Sequence, residues 1–133
     1  MMNIEDQIAI TQLLNLYGHI LDERAWTRMN ELFVDDLLFD GSDVGGKPIR
    51  GLDALVARFR EPQMSHPLAH HASNIVIWRD AAGVVRAASK GYGPRPDPAA
   101  SRTVTYKDVL RETPQGWRIA ERHVIAMRPR PND

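Results

Sequence analysis

Apolar positions recur at helical spacing over the first third of the chain and change to strand-like clusters after Pro67. From Ile4 onward, Ile10, Leu13, Leu14, Tyr17, Ile20 and Leu21 form one stripe. Asn3 is placed to cap that helix, and Glu5 and Asp6 lie in its first turn. A second helix is predicted after Asp22, with Trp26, Met29, Leu32 and Phe33 on one face. Residues 36–40 read as a short strand, ended by the glycine-rich loop 41–48. Residues 51–60 read as a third helix with Leu52, Leu55, Val56 and Phe59 inward, stopped by Pro62. Four strands follow at 70–79, 84–91, 103–111 and 116–127, rich in β-branched and aromatic residues and separated by turn-forming or proline-rich segments.

Helices first and strands last predict an α+β domain, with helices packed on one face of a mostly antiparallel sheet. The 133 residues fit a single domain spanning 1–133, without internal repeats or a domain linker. The proline-rich segment 93–98 is too short for a linker and is expected to be a loop over one end of the sheet. Lys+Arg and Asp+Glu are equal at 17 each, which argues against nucleic acid as a partner, because phosphate binding needs a clustered cationic surface. The absence of cysteine removes thiolate chemistry and fits a cytoplasmic location. Residues 4–21 are interrupted by Glu5, Asp6, Gln7 and Gln12, so neither export nor membrane attachment is expected.

Three of the five histidines fall within six residues, His66, His70 and His71, at the entrance to an apolar strand. Imidazole exchanges protons near neutrality, so the cluster points to proton transfer. A metal site is not expected: Pro67 breaks the helix that would align His66 with His70, and in a strand His70 and His71 point to opposite faces. No glycine-rich phosphate loop and no serine nucleophile elbow is present.

Taken residue by residue, two readings stand at each position. Asp22 is either a solvent-side cap of the second helix or a pocket carboxylate. His70 is either a structural strand-end histidine or a base, with His71 the alternative should the strand begin with a bulge. Strand alternation places Arg122 with Ala120, Val124 and Ala126, so its charge either snorkels to water or serves an anion from an apolar face. Tyr17 is a core aromatic or a hydrogen-bond donor from the pocket wall. Asn74 anchors its strand or faces a ligand.

Three separated stretches occur in a familiar order. The first is Tyr17-x4-Asp22-x3-Trp26 followed by Phe33-x-Asp35-Asp36, Phe39 and Asp40. The second is His70-x3-Asn74, and the third is Tyr106-x-Asp108 with Gly116-Trp117-Arg118-Ile119-Ala120-Glu121-Arg122. Over about residues 4–127 this order resembles the SnoaL-like families of the nuclear transport factor 2-like superfamily. They include polyketide cyclases, scytalone dehydratase and a dehydrochlorinase. The resemblance implies a cone-shaped, barrel-like roll in which three helices close a strongly curved sheet around a deep pocket. It also implies a homodimer through the outer sheet face.

For the site, the resemblance implies that Asp22 orients His70 as a general base and that Arg122 holds a leaving group or oxyanion, with no cofactor. Tyr17, Asn74 and His71 are then candidates for substrate binding. The strand 84–90 lacks the second histidine of scytalone dehydratase-like proteins, so dehydration in that specific sense is not supported. The expectation is a lyase- or isomerase-type enzyme acting on a mostly apolar small metabolite. The alternative is a binding or assembly module of the same fold without catalysis.

Overall fold

A computed structural model describes residues 2–131. Helix α1 spans Ile4–Asp22, and Asn3 caps it by accepting a hydrogen bond from the Asp6 backbone N–H at 2.8 Å. Its buried face, Ile10, Leu13, Leu14, Tyr17, Gly18, Ile20 and Leu21, contains the stripe expected from the sequence. The helix ends by backbone geometry. Arg24 adopts φ 55°, the Arg24 N–H bonds the Leu21 carbonyl, and the Ala25 N–H bonds the Ile20 carbonyl. These two bonds make a Schellman termination that leaves Asp22 in the last helical turn.

The predicted second helix is a single 3₁₀ segment, Trp26–Glu31. Strand β1 then begins earlier than expected and runs Phe33–Asp40. The reason is tertiary: the Ile119 N–H donates to the Leu32 carbonyl, and Phe33 pairs in parallel with Ile119, so the chain extends before another helical turn can form. The loop after β1 contains a short strand missed by the sequence reading, β2 (Pro48–Arg50), antiparallel to β1. Proline at its first position fits an edge strand, which can spare the N–H. Helix α2 is Leu52–Phe59, burying Leu52, Leu55 and Phe59.

The last four strands are β3 (His71–Arg79), β4 (Val85–Gly93), β5 (Arg102–Thr113) and β6 (Gly116–Ala126). They complete one sheet of order β2-β1-β6-β5-β4-β3, antiparallel except for the β1–β6 pair. The sheet is curled but open, with the helices on its inner face, as the α+β reading anticipated. Inward positions alternate along the strands: Val85, Ala87 and Ser89 on β4, Val104, Tyr106, Asp108 and Leu110 on β5, Ala120, Arg122 and Val124 on β6. No helix among the described residues is long and apolar enough to cross a membrane.

Candidate active site

The end of α1 and the segment entering β3 meet through Asp22 and His70. The His70 ring Nδ1–H donates to Asp22 Oδ1 at 2.7 Å, and the His70 backbone N–H reaches both carboxylate oxygens at 3.1 and 3.0 Å. One carboxylate therefore fixes the position and the tautomer of the imidazole, leaving the Nε2 lone pair for a proton. An acid in the last turn of a helix opposes the helix dipole, and the two donors of His70, ring and backbone, supply the compensation. The contact overrides the solvent-side cap reading of Asp22.

Two glycines permit close packing around the site. The Gly18 position lies against the His70 carbonyl, where a β-carbon would overlap the oxygen. At Gly91, on β4, a β-carbon would overlap the Tyr106 ring. Both residues are needed for close approach of a neighbouring element.

His70 precedes β3 rather than opening it, and it lines a cavity of about 530 Å³ that is open to solvent on one side. Burial pushes its pKa below the ordinary 6.5, and the hydrogen bond and charge of Asp22 offset this only in part. Desolvation thus outweighs the pull of the carboxylate toward the imidazolium. His70 is neutral at pH 7 and can accept a proton.

The cavity wall is mostly apolar and aromatic: Leu21, Phe39, Phe59, Val104 and Val124 line it with Tyr17 and Tyr106. Tyr17 stands edge-on to the His70 ring at 5.8 Å and to the Tyr106 ring at 5.7 Å. Burial raises the pKa of both tyrosines, so both keep their hydroxyl protons. The proline-rich loop lies at one end of the sheet, as expected, and contributes Arg95 to the cavity.

Arg122 is placed behind this wall and is 1% exposed. Its Nε and Nη2 donate to Asp108 at 2.8 and 2.9 Å, across the register pair that Asp108 and Arg122 form between β5 and β6. The guanidinium carbon lies 4.3 Å from the Tyr17 ring centroid and 4.0 Å from that of Tyr106. Desolvation disfavours the cation here, but Asp108 more than compensates, and the net pKa is raised. The snorkelling alternative is excluded, and Arg122 is not among the residues lining the cavity. Its Nη1 has no hydrogen-bond partner among the described residues.

Two candidates fall outside. Asn74 is exposed with φ 56°, at the register shift that interrupts the β3–β4 ladder between Ser73 and Val76, and its Oδ1 accepts from Ser73 Oγ. The bulge breaks the alternation that would have put Asn74 on the same face as His70. His71 is exposed beside Tyr92, at 6.3 Å between ring centroids. Three residues not singled out as site residues belong to the arrangement. Tyr106 and Asp108 were legible only as an alternating pair in the Tyr106-x-Asp108 motif. His66 lines the cavity, its Nε2–H donating to the Phe59 carbonyl at 2.8 Å, with its ring 6.5 Å from that of His70.

A curled α+β sheet holding an Asp–His pair at an apolar cavity defines a small cystatin-like, nuclear transport factor 2-like domain. The chain belongs to the SnoaL-like domain family, whose model matches residues 2–123. A solved structure from Novosphingobium aromaticivorans, assigned as an aromatic ring hydroxylase, is 27% identical, with TM-score 0.71 over 97% of this chain and 94% of that one. A nuclear transport factor 2-like protein with a cystatin-like fold from the same organism is 21% identical, with TM-score 0.75 over 97% and 86%. A third, assigned as a scytalone dehydratase of that organism, is 19% identical, with TM-score 0.72 over 95% and 87%. No curated protein matches the chain significantly.

Proposed function

We propose that this protein is a cofactor-independent lyase- or isomerase-type enzyme that removes a proton from carbon in an apolar, ring-sized small molecule. The observation that carries the reading is the Asp22–His70 hydrogen bond at 2.7 Å beside an apolar cavity. His70 Nε2 takes the proton, and the Asp22 carboxylate stabilises the imidazolium that forms. The electron pair of the broken C–H bond moves toward an adjacent carbonyl as an enolate, or expels a leaving group to form a double bond. Tyr17 and Tyr106 donate hydrogen bonds to the developing oxyanion. Arg122 acts through them, holding both rings by cation–π contact and so favouring negative charge at their hydroxyls.

Isomerisation, elimination and aldol-type cyclisation all begin with this step. SnoaL-like membership and the aromatic-ring chemistry attributed to the Novosphingobium structure support an aromatic or alicyclic substrate. A homodimer through the outer sheet face belongs to the same reading. There Val76 and Trp78 are 60% and 40% exposed, and Trp78 borders a groove of about 440 Å³.

The direct test is hydrogen–deuterium exchange at the α-carbon of 2-tetralone, followed by NMR. The wild-type protein should accelerate exchange, and a folded His70→Ala variant should lose about 10²–10⁴-fold of that acceleration. Equal exchange in the two proteins overturns the assignment. The fold also accommodates a second reading, a noncatalytic binding or assembly module, because fold does not fix function. That reading predicts no acceleration by either protein.

A further inference from the structure

The cavity carries an unbalanced charge. Two arginines, Arg95 and Arg102, line it, and among the described residues none that line it is an aspartate or glutamate. The two carboxylates behind it are engaged, Asp22 by His70 and Asp108 by Arg122. Arg95 is tied only to neutral groups. Its Nη1 donates to Ser65 Oγ at 2.7 Å and to the His66 carbonyl at 3.3 Å, and its Nη2 donates to the Ser65 carbonyl at 3.0 Å. Its backbone N–H is braced by Ser101 Oγ at 2.9 Å. Arg102 opens β5 opposite Gly93, is exposed, and makes no side-chain hydrogen bond or ion pair among the described residues.

Other arginines of this chain are paired with acids, Arg28 with Glu31 and Arg86 with Asp80, whereas no acid among the described residues neutralises the two that line the cavity. Here a braced cation and one without an ion-pair partner among the described residues sit at the solvent side of a mostly apolar cavity. An apolar ligand alone would leave both charges partly desolvated without compensation, which is costly. A ligand whose acidic group reaches the arginines removes that cost. With Arg95 largely committed, one open planar fork remains, and it matches the two oxygens of a carboxylate.

From this we infer that the cavity takes an amphiphilic acid, with an apolar ring body among the aromatic side chains and a carboxylate on Arg102 beside Arg95. Arg102 is then a specificity-determining residue. The inference rests on the cavity being the substrate site, but not on His70 being a base. The carboxylate faces solvent, and the ring carbon that loses its proton lies deeper, toward His70.

The test is calorimetric titration with 2-naphthoate and with its uncharged counterpart 2-naphthamide at pH 7.5. The acid should bind at least about tenfold more tightly than the amide, the worth of one charge-assisted contact. That preference should disappear in Arg102→Gln and persist in Lys47→Gln, which removes an exposed cation outside the cavity. It should also persist in His70→Ala, so failure of the catalytic reading would show in exchange and not in this preference. A preference that survives Arg102→Gln, equal binding of acid and amide, or no saturable binding of the acid overturns the inference.

Discussion

Gly18 and His70 are in backbone-to-backbone contact, with the α1 chain packed so closely on the His70 carbonyl that a side chain at position 18 has no room. The contact sits one helical turn before Asp22, so the same helix sets the height of the histidine segment and supplies its carboxylate.

Replacing Gly18 by Ala separates this contact from helix propensity. In an unconstrained helix interior alanine would gain about 0.5–1 kcal/mol over glycine. Overpacking against backbone costs about 1–3 kcal/mol, so a net loss of stability is expected. The His70 segment must also shift away from Asp22. Denaturant unfolding and the NMR shifts of the His70 ring check both effects. A Gly18→Ala protein that is more stable, with unchanged His70 signals, contradicts the packing argument.

His70 should titrate below 6.5, since burial lowers its pKa more than Asp22 raises it. The neutral form is the base, so a rate that depends on it is flat above that midpoint and falls on the acid side. In Asp22→Asn the charge that favours imidazolium is lost and the midpoint should drop further. The rate should fall as well, because the amide no longer fixes the tautomer or stabilises the cation. NMR titration of the His70 ring in both proteins reads the midpoints. A wild-type midpoint above 6.5 would mean that the carboxylate outweighs desolvation.

The same shift makes a stability prediction. An unfolded histidine takes up a proton near 6.5, whereas the folded protein resists protonation until lower pH. Between those two values the unfolded state binds more protons, so stability rises with pH across the window. The His70 contribution is fully present above about 6.5 and is lost as pH falls from there toward the folded value. Unfolding free energies of wild type and His70→Gln, measured from pH 7.5 to 5, should converge on acidification. Parallel curves would remove His70 as the source.

Much of this fold is legible in the sequence. The α1 stripe, the four late strands and the α+β class follow from periodicity, because those segments bury one face against a single partner layer. The short second helix was misread because Trp26, Met29, Leu32 and Phe33 fit a helical face, while pairing with Ile119 decides the backbone of Phe33. Asp22 with His70 could be nominated from motif order, but their contact spans 48 positions and depends on Gly18. The bulge at Asn74 was illegible, since no glycine marks the left-handed position. Asp108 was overlooked because cross-strand register, not sequence spacing, puts it opposite Arg122.

The Arg122–Asp108 pair offers the sharpest separation of stability from function. Both side chains are almost wholly buried, at 1% and 0% exposure, and the pair is bidentate. Asp108→Asn leaves an uncompensated buried cation and should destabilise the protein by about 3–5 kcal/mol. Arg122→Met with Asp108→Leu removes both charges together, and buried pairs replaced by apolar residues often lose little stability. The double variant should therefore unfold close to wild type in denaturant. Its tyrosines, however, no longer stack on a cation, so 2-tetralone exchange should slow even though His70 and Asp22 are untouched. A double variant that is stable and exchanges at the wild-type rate would make Arg122 a purely structural residue. One that is as unstable as Asp108→Asn alone would show that the cation–π stack, and not only the ion pair, holds this layer together.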